Sequence, residues 1–333
     1  MDLEQFAVDF DDGFTHILAP MSENVGFIFP GQGSQSVGMG QALVESRPEL
    51  RHLYEEASKI LGYDIATLCF EGPAEQLNNT EFTQPALLVT SMVALRALNP
   101  AIKPAAVAGH SLGEYSALVA AGGLEFQEAV QLVQKRARFM AEAVPPGSGL
   151  VAAVLGLATD AVKEACQEAQ SEGVVSAANF NAPGQVVIAG EKAAVERAIE
   201  LAKKKGCRRA MPLPVSVPVH TGLMKSAADR LAPFVASASI TDLQIPLINN
   251  ADAKALRTAA EIRESLIRQL PSSVLWEQSI RVMGEMGVTT FVEIGPGTVL
   301  TGLVKRIAPE ATLCNVHNPE SLETTLSTLK NVA

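Results

Sequence analysis

Val107-Ala108-Gly109-His110-Ser111-Leu112-Gly113-Glu114-Tyr115-Ser116 carries a G-x-S-x-G at residues 109–113, and its surroundings decide the fold. The apolar run 105–108 predicts a strand before it, and the run 114–121 predicts a helix after it. A serine between the two stands at a nucleophile elbow. The turn is tight, so small residues must flank the serine. The hydroxyl is then held at the end of a sheet above a helix N-terminus, where backbone N–H groups can receive an oxyanion. The bland alternative is a glycine-rich turn with an idle serine.

Working outward, strand and helix signals alternate, which predicts an α/β protein. Residues 25–29 form a short apolar strand running into Pro30-Gly31-Gln32-Gly33-Ser34-Gln35. Helices are predicted at 49–61, 85–98 and 126–143, the last stopped by Val144-Pro145-Pro146-Gly147. The next stretch has its own order: strand 150–157, helix 160–170, strands 174–179 and 185–189, helix 192–205 and strand 208–213. That βαββαβ order is a ferredoxin-like unit. It predicts a small domain at 148–213 inserted into a large one made of 25–147 and 214–333. A buried strand at 288–294 ends in Gly295-Pro296-Gly297, before a helix at 299–306. The Gly31–Gln35 loop lacks both the G-x-G-x-x-G spacing and a G-K-[ST]. It is better read as a turn whose glycines let backbone N–H groups approach a ligand.

The 333 residues are 47% apolar and 19% charged, enough for a sizeable core. Cys69, Cys166, Cys207 and Cys314 are scattered without metal spacing, so reduced thiols and a cytoplasmic location are expected, with no structural zinc. No apolar run reaches membrane-spanning length. Residues 1–24 begin with acidic charges and lack the basic start of a signal peptide, so they are read as an extension outside the core fold. The net charge of −10 argues against general nucleic-acid binding.

A serine nucleophile needs a base. Of the five histidines, His16 lies in the extension, His52 on a polar helix, and His110 beside the nucleophile on a turn where neighbours point apart. His220 ends an extended segment stiffened by Pro214 and Pro218, where it can project into a cleft. His317 lies late in the chain, so a rival set of Ser111, Asp252 and His317 stays open in the order usual for α/β-hydrolases. On the helix 126–143, Ala129, Leu132, Val133, Met140 and Ala143 form the apolar stripe, and Arg136 falls on it. An inward guanidinium needs an anion, because burying it unpaired is costly. Either a structural Asp or Glu or a substrate carboxylate can fill that role.

Phe29-Pro30-Gly31-Gln32-Gly33-Ser34-Gln35, Gly109-His110-Ser111-Leu112-Gly113-Glu114-Tyr115, Asn179-Phe180-Asn181-Ala182-Pro183-Gly184-Gln185 and Glu293-Ile294-Gly295-Pro296-Gly297 occur in that order, with Val215-Ser216-Val217-Pro218-Val219-His220 between the last two. Over residues 25–330 the chain closely resembles the malonyl-CoA:acyl carrier protein transacylases of bacterial type II fatty acid synthesis. The resemblance implies an α/β-hydrolase-like large domain with an inserted ferredoxin-like small domain. It implies Ser111 as nucleophile, His220 as base, and Gln269 as the residue whose main-chain carbonyl orients the histidine. It implies an oxyanion hole from the N–H groups of Gln32 and Leu112, a substrate contact at Gln32, and Arg136 as the arginine that binds the malonyl carboxylate.

The implied partners are malonyl-CoA and acyl carrier protein, with no nucleic acid or membrane, no cofactor and no metal, in a monomer. Polyketide acyl transfer is the alternative within the family; a serine esterase or a carrier-binding module without activity lies outside it. Two departures stand near the base: Val219 replaces a usual serine before the histidine, and Pro271-Ser272-Ser273-Val274-Leu275-Trp276 follows Gln269 where an aromatic and an asparagine are common. The densest basic cluster is Lys203, Lys204, Lys205, Arg208 and Arg209, a candidate surface for an acidic carrier.

Overall fold

Ten strands divide between two sheets in the computed structural model, which describes residues 21–98, 102–213, 215 and 217–330. They are β1 (Met21–Phe29), β2 (Lys103–Gly109), β3 (Gly149–Leu155), β4 (Val175–Ala182), β5 (Gln185–Glu191), β6 (Arg209–Pro212), β7 (Leu247–Ile248), β8 (Ala255–Leu256), β9 (Thr290–Ile294) and β10 (Thr312–Val316). The first sheet has the order β10-β9-β1-β2-β7-β8 and is parallel except for β8.

Helices cover both of its faces, which is why residues 25–29 of β1 are apolar without alternation. Phe27 and Phe29 pack with Leu87 and Leu118 on one side. Ile28, pointing the other way, packs with Trp276, Met283 and Leu300. Phe29 pairs with Gly109, so β1 and β2 end side by side. The Pro30–Gln35 loop and the elbow therefore leave the sheet at one edge, the carboxyl ends of the strands, where open α/β sheets place their ligands.

The second sheet is antiparallel with the order β4-β5-β3-β6. Its helices, Thr159–Ala169 and Lys192–Lys204, lie on one face against Val154, Val186 and Ile188. The opposite face carries Val151, Ala178, Val187 and Ala189, with Leu213 and Val215 beside them. The two sheets are stitched where Val274 donates its N–H to Ala178 O at 2.8 Å and Phe180 donates to Val274 O at 2.9 Å. Ser273, in the segment that departs from the family pattern, donates its hydroxyl to Ala177 O at 2.8 Å.

Several boundaries differ from the sequence expectation. Residues 1–20 of the expected extension lie outside the described residues, and its last residues belong to β1, where Met21 pairs with Lys103. The helix expected from Pro85 begins at Thr80, with Pro85 inside it. Proline usually marks a helix start, but here Asn79 caps the helix by accepting Glu81 N–H at 3.0 Å. Strands β7, β8 and β10 were not expected; two of them are only two residues long. Among the described residues no helix is long and apolar enough to cross a membrane.

Candidate active site

The elbow is built by steric necessity. Ser111 has φ 52°, in the left-handed region. A Cβ on Gly109 would lie 1.9 Å from the carbonyl carbon of Gly113, and one on Gly113 would lie 2.1 Å from Phe29 O. Asn250, just past β7, brackets the turn: its Oδ1 accepts Ser111 N–H at 2.6 Å and its Nδ2 donates to Gly109 O at 2.7 Å. Holding a non-glycine residue at positive φ needs such over-determination. Asn250 has no signal in the sequence beyond two polar residues after an apolar pair.

His220 Nε2 lies 2.7 Å from Ser111 Oγ. Its Nδ1 faces two carbonyls, Gln269 O at 3.1 Å and Ser272 O at 3.0 Å. Two acceptors there require the proton on Nδ1, which leaves the Nε2 lone pair for the serine proton. The Ser272 carbonyl stands beside that of Gln269 at this nitrogen, a contact with no signal in the sequence. Burial, then the Arg136 charge, lowers the His220 pKa to about 3, so the imidazole is neutral near pH 7.

Arg136 projects inward from the helix Phe126–Ala141 and is 1% exposed. Nη1 donates to Gln84 Oε1 at 2.5 Å, and Nη2 donates to Ser111 Oγ at 3.1 Å and Gln269 Oε1 at 2.9 Å. Its Nε has no partner among the described residues. No Asp or Glu forms an ion pair with it there: the ion pairs of the described residues all involve other groups. Among the described residues no structural carboxylate touches the guanidinium; buried Glu114 stands on the far side of the Gln269 amide.

Gln32, Ser111, Leu112, Arg136 and His220 line one cleft of about 160 Å³, and Val151, Val187 and Leu213 of the second sheet's open face close its other side. The N–H groups of Gln32 and Leu112 make no hydrogen bond within the described residues. Gly31 lets the first loop approach, since a Cβ there would lie 2.3 Å from His110 O. His110 turns away from the nucleophile, its Nε2 2.8 Å from Asn181 Oδ1. Val219 lines the cleft beside His220. Val299, Leu300 and Leu303 form an apolar wall. Buried Glu293 of β9 fixes that wall by accepting the N–H groups of Leu300 at 3.0 Å and Thr301 at 2.7 Å.

The rival set does not assemble. Asp252 is held by Arg268 at 2.6 Å and by Asn249 at 3.1 Å. The His317 ring meets Asn318 Nδ2 at 3.2 Å. Neither lines the cleft. The basic cluster needs one correction: Lys205 is committed to Glu168 at 2.8 Å and Glu164 at 3.2 Å, so its charge is locally balanced. Lys203, Lys204, Arg208 and Arg209 are exposed. Among the described residues no three His, Cys, Asp or Glu side chains gather as a metal site.

A neutral histidine on a serine hydroxyl, two N–H groups at the cleft without partners among the described residues and a buried cation can acylate the serine from a substrate that carries an anion beside its carbonyl. Residues 26–322 match the acyl transferase domain family. The chain is 49% identical over 302 residues to the malonyl CoA-acyl carrier protein transacylase of Escherichia coli (strain K12), covering 90% of this chain and 98% of that one. It is 48% identical over 308 residues to the enzyme of the same name from Bacillus subtilis (strain 168), covering 92% and 97%. An acyl carrier protein S-malonyltransferase from Vibrio cholerae superposes with a TM-score of 0.87 at 48% identity, covering 91% and 99%. A malonyl-transacylase solved in complex with its type II PKS acyl-carrier protein superposes with a TM-score of 0.89 at 45% identity, covering 92% and 99%.

Proposed function

The chain belongs to the acyl transferase domain family, and from that premise we propose that it transfers malonyl from malonyl-CoA to the phosphopantetheine thiol of acyl carrier protein, supplying fatty acid chain elongation. The observation that carries the reading is the buried Arg136, 3.1 Å from the nucleophile and without an acidic partner among the described residues. A malonyl thioester brings its carboxylate to that place.

The carboxylate binds the guanidinium and sets the thioester carbonyl over Ser111. His220 takes the hydroxyl proton as Oγ attacks. The N–H groups of Gln32 and Leu112 receive the oxyanion, a contact whose loss typically costs about 2.7–4 kcal/mol. The carbon–sulfur bond breaks, coenzyme A leaves with the proton from His220, and a malonyl-serine ester remains. The carrier thiol then gives its proton to His220, attacks the ester, and Ser111 regains its proton. A bound carboxylate offsets the Arg136 charge that holds His220 down, so the base strengthens as cargo arrives. One chain supplies every group, so a monomer suffices, without cofactor or metal, in the cytoplasm. The direct test is transfer from malonyl-CoA to purified holo acyl carrier protein; release of free malonate with no carrier product would overturn it.

The depressed His220 pKa has a kinetic signature. kcat/KM reports the ionisations of free enzyme and free substrate. Acylation by malonyl-CoA should show no acidic limb from His220 between about pH 5 and 8, the range where an ordinary histidine titrates; a limb from Glu114, raised to about 7 by burial, would vanish in Glu114→Gln. A limb with its midpoint near 6.5 that persists in Glu114→Gln would mean that His220 is not held neutral by its surroundings.

Carrier docking supplies another expectation. Acyl carrier proteins are acidic and this chain is too, so encounter needs a local basic surface. Reversing Lys204 and Arg208 to Glu should raise the carrier KM at low salt by about tenfold, an effect that shrinks as salt screens it. Acylation by malonyl-CoA should change less. An unchanged carrier KM would locate docking elsewhere, with Lys135, Arg138, Lys305 and Arg306 the next candidates, of which Arg138 is paired with Glu142.

A further inference from the structure

Glu114 is fully buried behind the elbow. Its Oε2 accepts Asn250 N–H and Gln269 Nε2–H, each at 2.9 Å, and its Oε1 has no partner among the described residues. The other end of the same amide, Gln269 Oε1, accepts Arg136 Nη2–H at 2.9 Å. The second Nε2 proton goes to Ser111 O at 2.9 Å. The amide cannot be turned over, because its oxygen would then face a carboxylate and a carbonyl, and its NH₂ a guanidinium.

A buried carboxylate and a buried guanidinium thus stand on opposite sides of one amide, with no direct ion pair between them. Opposite charges so close in a poorly solvated interior attract strongly. Closure would draw Arg136 away from Ser111 and satisfy it internally. We infer that the Gln269 side chain is a spacer that keeps Arg136 from closing on Glu114, and so reserves the guanidinium for the carboxylate of the incoming acyl group. This positioning role is separate from that of the Gln269 carbonyl, which holds His220. It rests on the malonyl-transfer reading.

The test is the ratio of Ser111 acylation by malonyl-CoA to that by acetyl-CoA, measured at about pH 8, where Glu114, raised to about 7 by burial, is ionised. Gln269→Ala keeps the backbone carbonyl and removes the spacer. The ratio should fall by about tenfold or more, the worth of one hydrogen bond to a charged group. Adding Glu114→Gln removes the charge that captures Arg136 and should restore most of the ratio, a rescue that lost packing alone would not give. Gln269→Glu is nearly isosteric and sets a carboxylate directly on Arg136; it should lower the ratio as well, and gives a result even if the alanine variant fails to fold. Equal slowing of both thioesters, or no recovery on adding Glu114→Gln, overturns the spacer. The malonyl reading fails by a different result, an unaltered protein that releases free malonate from malonyl-CoA and gives no product on holo acyl carrier protein.

Discussion

His220→Ala slows malonylation of Ser111 by about 10⁴-fold or more, because a serine and its base act as a unit. The geometry leaves no substitute. His110 points to Asn181, and His317 and Asp252 are occupied outside the cleft. His317→Ala is accordingly close to silent. Stopped-flow release of coenzyme A from malonyl-CoA separates the two variants. A full rate for His220→Ala together with loss in His317→Ala would reverse the assignment of the base. Thermal melting of both variants identifies a rate loss caused by misfolding.

Arg136→Ala lowers the malonyl-over-acetyl preference by about 10²-fold or more, since two charge-assisted hydrogen bonds to a carboxylate are each worth about 1.5–3 kcal/mol. Acetyl-CoA has no carboxylate, and binding it over a buried guanidinium leaves the cation unpaired. The variant therefore loses on one substrate what it does not lose on the other. Steady-state rates with both thioesters measure the change. An equal proportional loss would make Arg136 a structural cation.

The elements legible in the sequence are those whose signal is local. The G-x-S-x-G between an apolar run and a helix former locates the elbow, because the steric demand at Gly109 comes from Gly113, inside the motif. Arg136 shows its inward direction through the apolar stripe it interrupts. The βαββαβ order of strand and helix signals at 148–213 outlines the second sheet. What stayed hidden is non-local. Asn250 reaches Ser111 across 139 positions, Gln84 reaches Arg136 across 52, and the Gln269 side chain spans Arg136 and Glu114. A polar side chain that satisfies a distant buried group leaves no periodicity, since its partner is fixed only by the fold. Strands β7 and β8 escaped for a related reason: two residues are too few to show a period. Lys205 reads in the sequence as part of an open basic patch, because its partners Glu164 and Glu168 lie about forty positions away on the neighbouring helix.

In the proposed reaction a malonyl ester forms on Ser111 and its acyl group passes to the carrier. Intact-mass analysis after mixing with malonyl-CoA reads both steps. One malonyl adduct is expected, located on Ser111 by peptide mapping, absent from Ser111→Ala, and discharged when holo acyl carrier protein is added. An adduct that persists in Ser111→Ala, or transfer to the carrier that proceeds in that variant, would contradict the account.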